Sequence, residues 1–145
     1  MTSDLALPEW AEEVLRTARV GHLGIVDEEG RPRVLPVTFA VAGGRIWSAV
    51  DEKPKRGNRE LARVRYLRRD PHAALTVDRY SDDWAELAWV QALGEVAIVE
   101  ASQAEAALKG LRDKYEQYRR SSPPGPLLAL EPARFLCWRA AGAGS

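Results

Sequence analysis

The sequence holds a single cysteine, Cys137, in 145 residues. One thiol cannot close an internal disulfide, which excludes a stapled secreted scaffold. Net charge is also missing, with 21 Lys+Arg against 21 Asp+Glu. That balance argues against a polybasic nucleic-acid binder and leaves room only for a local basic patch. No stretch reaches the roughly 20 apolar residues that a bilayer-spanning helix requires. The first eight residues, MTSDLALP, have no basic region followed by an apolar core, so no secretory leader is expected. There are two histidines, His22 and His72, and neither has a metal-ligand partner at usable spacing. A serine nucleophile elbow, a glycine-rich dinucleotide fingerprint and a Walker loop are all absent. An enzyme built on this chain would therefore take its reaction from a bound cofactor, the protein supplying position and electrostatics. What is present is an ordinary globular balance, 46% hydrophobic and 29% charged. One domain over residues 1–145 is expected, located in the cytoplasm, with a frayed tail at 140–145.

Hydrophobic periodicity divides the chain. Pro8 followed by Glu9 and Glu12 predicts a helix start, with Trp10, Val14 and Ala18 on one face. Strands are predicted at Val20–Val26, Arg33–Val41 and Arg45–Val50, separated by the turn residues Asp27–Pro32 and Gly43-Gly44. Asn58 can cap a helix running to Arg69, where Asp70-Pro71 ends it. Further strands are predicted at His72–Asp78 and Leu87–Val99, the latter with a bulge at Gly94. A helix over Ala104–Arg119, a stiff Ser121–Pro126 linker and a last strand over Ala133–Arg139 complete the order. Six strands with irregularly interspersed helices favour a closed antiparallel barrel over a doubly wound parallel sheet.

Three groups of residues stand out. Segment 53–69 concentrates eight of the 21 basic residues against one acid, Glu60. Its first part, with Lys53, Lys55 and Arg56, lies between a strand and a helix, where cations, free N–H groups and a helix dipole converge on a phosphate. A solvated, solubilising face is the alternative reading of the same charges. Pro36, inside Leu35-Pro-Val-Thr-Phe39, removes a ladder donor. It marks either an ordinary edge strand or a break where backbone and the Thr38 hydroxyl meet a planar ligand. Asp78-Arg-Tyr-Ser-Asp-Asp-Trp84 carries acids without calcium-loop spacing, so turn capping is the expected role of its carboxylates. Trp84 and Trp89 can stack on a ring system, pack a subunit interface or fill the core.

Gly24–Phe39, Trp47–Arg56 with its Lys-Pro-Lys-Arg run, Leu67–Pro71 and Asp82-Asp-Trp84 together resemble the pyridoxamine-phosphate-oxidase-like (PPOX class) split β-barrels. Within that superfamily the chain is most similar to small actinobacterial-type F420-dependent enzymes, over residues 10 to 140. The resemblance implies a mainly β fold with flanking helices (α+β): a six-stranded antiparallel split β-barrel of the FMN-binding type. It implies a homodimer with two interfacial sites for FMN or the deazaflavin F420. By carry-over, Leu35, Pro36, Val37 and Thr38 would contact the ring or ribityl chain, and Val50 and Asp51 would line it. Lys53, Lys55 and Arg56 would hold the phosphate, while Asp78 and Trp84 would approach from the partner chain.

The expected function is an F420-dependent oxidoreductase passing a hydride between the deazaflavin and an unsaturated or quinone-like small molecule. The alternatives are an FMN-binding flavin reductase or oxidase of the same fold, and a non-catalytic cofactor-binding module. No membrane or nucleic-acid partner and no metal is expected, and no catalytic side chain is singled out.

Overall fold

The computed structural model describes residues 6–50 and 61–141. Helix α1 (Glu9–Thr17) buries Ala11, Val14 and Leu15 on one stripe, with Glu9 and Glu12 near its positive end. Strand β1 (Gly21–Val26) follows and turns at Asp27, whose Oδ1 accepts the N–H groups of Arg31 and Glu29, each at 2.9 Å. These donors, the Arg31 amide foremost, hold the Asp27 carboxyl below the usual carboxylate range. Gly30 completes the turn at φ +78°, a conformation that a side chain would strain.

The stretch after this turn departs from the single predicted strand Arg33–Val41. It forms two strands, β2 (Pro32–Val37) and β3 (Phe39–Ala42), interrupted at Thr38. β2 pairs with β1, from Gly21↔Val37 to Val26↔Pro32. β3 pairs instead with β4 (Arg45–Ala49), from Phe39↔Ser48 to Ala42↔Arg45. One extended segment thus serves two ladders, and six expected strands become seven.

Helix α2 (Ala62–Arg69) turns Val64 and Leu67 inward and stops at Asp70. Asn58, the expected cap, lies outside the described residues. Arg69 ties α2 to the first turn by donating to the Asp27 carbonyl at 3.3 Å and to the Glu28 carbonyl. Next come β5 (His72–Arg79) and β6 (Ala88–Val99). The expected Ala104–Arg119 helix is two, α3 (Glu105–Lys114) and α4 (Glu116–Arg120), because Tyr115 adopts an extended conformation between them. The last strand, β7 (Leu127–Arg139), begins six residues before its predicted start. Its first four residues are all buried, so no alternation marks them as a strand.

The seven strands form one antiparallel sheet in the order β2-β1-β5-β6-β7-β4-β3. Its two edge strands are consecutive in sequence, so the curled sheet is joined at Thr38 by the chain and not by a β2–β3 ladder. This is the split barrel that the resemblance implies, with seven strands in place of six, and not the closed barrel favoured by strand order alone. Pro36 accordingly lies on an edge strand, where its missing donor is tolerated. The predicted bulge falls at Leu93/Gly94, where Gly94 meets Pro132. A Cβ at Gly94 would collide with the Glu131 carbonyl. The extra residue keeps β7 in phase, so Leu128 and Leu130 before it, and Phe135 and Cys137 after it, all serve the same core.

The inner face of the sheet packs on α1 and α2 through Val14, Leu15, Leu23, Phe39, Leu67, Leu75, Val77, Val90 and Leu128. The outer face is covered only in part. Ala40, Trp47, Ala49, Leu127 and Ala129 lie beneath Ala107, Leu108, Leu111, Tyr115 and Tyr118 of the α3–α4 unit. Among the described residues, no helix is long and apolar enough to cross a membrane.

Candidate functional site

Among the described residues, no helix lies on the rest of the outer face. Register aligns Pro36, His22, Thr76, Gln91 and Leu136 across five strands. The adjacent rows hold Val34, Ala74 and Leu93 to one side, and Asp78, Trp89 and Trp138 to the other. Large apolar groups there face solvent: Val34 is 67% and Trp138 46% exposed. Polar pairing is sparse, with Gln91 Nε2 donating to Thr76 Oγ1 at 2.9 Å. Left open by the described residues, this sheet face is the candidate binding surface.

Thr38 stands at the boundary between the covered and uncovered halves. Its Oγ1 lies 2.6 Å from Tyr118 Oη of α4. The neighbouring Tyr115 hydroxyl accepts the Phe39 amide at 3.1 Å and is within donating distance of the carbonyls of Arg19 (2.9 Å) and Phe39 (3.2 Å). Burial pushes the Tyr115 phenol upward, so it stays protonated and able to donate. The two rings meet edge to face with centroids 5.6 Å apart. Beside them is a cleft of about 330 Å³ lined by Thr38, Tyr115, Gln117, Tyr118, Ser121, Ser122, Pro123 and Pro124.

The structure sorts the residues expected at a cofactor site into three groups. Pro36 and Asp78 share the uncovered outer face, with Thr38 at its margin, and Trp84 is 69% exposed. Trp84 opens a single 3-10 turn that is capped by Asp83, whose Oδ1 accepts the Ala85 amide at 3.1 Å. The expected capping role therefore holds for Asp83. Leu35, Val37 and Val50 turn into the core or pack against it, so what they can offer a ligand is main chain. Asp51, Lys53, Lys55 and Arg56 lie outside the described residues. Val34, Tyr118 and Trp138 escaped the sequence reading. The Val34–Pro36 alternation puts Val34 on the same face as Pro36 without saying which face that is, whereas nothing local links Tyr118 to Thr38, 80 residues away.

Over residues 7–139 the chain matches the family model described as pyridoxamine 5'-phosphate oxidase. No curated protein matches it. Solved structures of the same fold include a heme binding protein from Mycobacterium smegmatis, 22% identical with a TM-score of 0.73. That likeness takes in 94% of this chain and 57% of the mycobacterial one, so this chain spans little more than half its length. A FAD-binding protein from Mesorhizobium loti is 16% identical, with a TM-score of 0.65 over 90% of this chain and 94% of its own. A structure described as an F420 reductase is 24% identical, with a TM-score of 0.65 over 90% and 98%. At these identities the likeness is one of fold.

Proposed function

Since the chain belongs to the pyridoxamine 5'-phosphate oxidase family, we propose that it is an oxidoreductase that binds the deazaflavin F420 on the uncovered face beside Thr38. The observation that carries this reading is that face itself, where exposed apolar side chains end at a hydroxyl. A flavin or deazaflavin has apolar ring faces and a hydrogen-bonding edge, and these residue types fit it. Val34 and Pro36 supply apolar contact, and Thr38 supplies a hydrogen bond. Lys53, Lys55 and Arg56 supply the charge that a phosphate needs. When bound, F420 carries the hydride to or from an unsaturated or quinone-like substrate.

A second copy of the chain covers the open half in this reading, making a homodimer to which Asp78 and Trp84 bring partner contacts. Covering the face excludes water and strengthens each polar contact inside it. FMN is the second reading, favoured by the likeness to a FAD-binding protein.

A parallel titration with F420 and FMN, followed by tryptophan fluorescence, tests the cofactor. Tight quenching by F420 with a weak FMN response supports the proposal, the reverse transfers it to FMN, and silence from both overturns the enzyme reading. Analytical ultracentrifugation tests the dimer: twice the chain mass is expected, falling to one chain mass in Val34→Asp. A monomeric parent chain would remove the second copy from the proposal.

A further inference from the structure

We propose that the cavity between α1 and the inner face of the β4–β7 ladder binds a zwitterion with an apolar body, as a free hydrophobic α-amino acid presents. The cavity lies across the sheet from the candidate cofactor face, so the assignment stands apart from the oxidoreductase reading. What carries it is the meeting of an apolar floor with Glu12, Arg16 and Glu131 around one cavity.

The floor follows from the apolar stripe of α1 and the inward residues of the strands. Leu15 and Ile46 are buried there, and Pro132 and Phe135 come from β7 on either side of its register shift. Val41 lines the edge from the β3–β4 hairpin and is 38% exposed. The volume of about 400 Å³ lies within the range of small-ligand pockets and has room for a ring or a branched chain.

The charges decide the ligand. Glu12 and Arg16 stand one turn apart on α1, both exposed at the cavity. Glu131 comes from β7, where Arg45 donates Nε to its Oε2 at 2.8 Å, and its Oε1 can still accept. A cation alone would meet Arg16, and an anion alone would meet two carboxylates; either mismatch lowers affinity. A zwitterion sets its carboxylate on Arg16 and its ammonium on the glutamates, so each charge meets its opposite. The pairs are exposed and individually modest, and burial of the apolar body on the floor supplies the rest.

Calorimetric titration of the full chain with L-phenylalanine tests it, beside phenethylamine, which lacks the carboxylate, and 3-phenylpropionate, which lacks the amine. L-Phenylalanine should bind about tenfold more tightly than either analogue and raise the melting temperature. Arg16→Gln should erase its advantage over phenethylamine, and Glu12→Gln combined with Glu131→Gln its advantage over 3-phenylpropionate. Val41→Trp, which fills the cavity from its exposed edge, should abolish binding while circular dichroism and the melting temperature of the free protein report an intact fold. Failure of the parent chain to bind L-phenylalanine at millimolar concentration overturns the site. Equal binding of the three compounds, or binding that Val41→Trp leaves unchanged, overturns it as well.

Discussion

The outer face of the sheet is one surface treated in two ways. At the β3–β4 end, small residues on the strands (Ala40, Ala49, Ala129) let α3 and α4 approach closely and bury Leu111 completely. At the β2–β1–β5 end the same face carries Val34, Pro36, His22 and Thr76, with Trp89 and Trp138 beyond them, and no helix among the described residues covers it. The first half stabilises the monomer. The second contributes less to monomer stability, because Val34, Pro36 and Trp138 stay largely in water in the folded chain while Trp89, Leu93 and Leu136 are only half-buried. Thr38 lies where the two meet, which is why a bond to Tyr118 on one side and a candidate ligand face on the other fall on a single residue.

The sharpest test of this contrast is a pair of truncations. Leu111→Ala should lower the unfolding free energy by about 3 kcal/mol, the usual loss for a fully buried leucine, as read from urea denaturation. Val34→Ser on the open half should change it by no more than about 0.5 kcal/mol at concentrations where the chain is monomeric. Comparable losses at both positions would erase the distinction.

A smaller effect is expected at the seam. Tyr115→Phe removes the hydroxyl that accepts the Phe39 amide and donates to a main-chain carbonyl, leaving buried polar groups without partners. A loss of about 2 kcal/mol in the same assay is expected. A loss below about 0.5 kcal/mol would mean that the main chain at the seam finds other partners.

The smallest effect carries a pH signature. Lys114 Nζ is buried without a hydrogen-bond partner and lies 3.7 Å from the Phe39 ring centroid. Burial, aided by nearby Arg19, pushes its pKa down to about 8 from an ordinary 10.5. Between these values the unfolded chain holds a proton that the folded chain has released, so this lysine's contribution makes stability rise with pH across that window. Lys114→Met should therefore stabilise the protein at pH 7 by about 1–2 kcal/mol, with the advantage shrinking from pH 8 to 10.5. An advantage that does not vary with pH would assign it to packing.

Local signals made much of the fold legible. The turn at Asp27–Gly30, the Gly43-Gly44 hairpin, the stop at Asp70-Pro71 and the bulge at Gly94 each depend on chemistry within a few residues. Two features were hidden because their causes are distant. The division of 33–41 at Thr38 reflects which strand each half pairs with, and the start of β7 is obscured because both faces of Leu127–Leu130 are covered. The site divides along the same line. Sequence and family resemblance reached Leu35–Thr38 as a segment, but could not say that Leu35 and Val37 serve the core while Val34 and Pro36 face out.

By itself, then, the sequence determined most of the order of strands and helices and the balance of charge, since these follow from composition and short-range spacing. Only the tertiary structure decided which half of the sheet is covered, that the barrel is split at Thr38, and that Tyr118 meets it there. Those outcomes depend on contacts between residues 80 to 96 positions apart at the seam. No local pattern encodes them, because the burial that selects them exists only once the sheet has curled and α4 has docked.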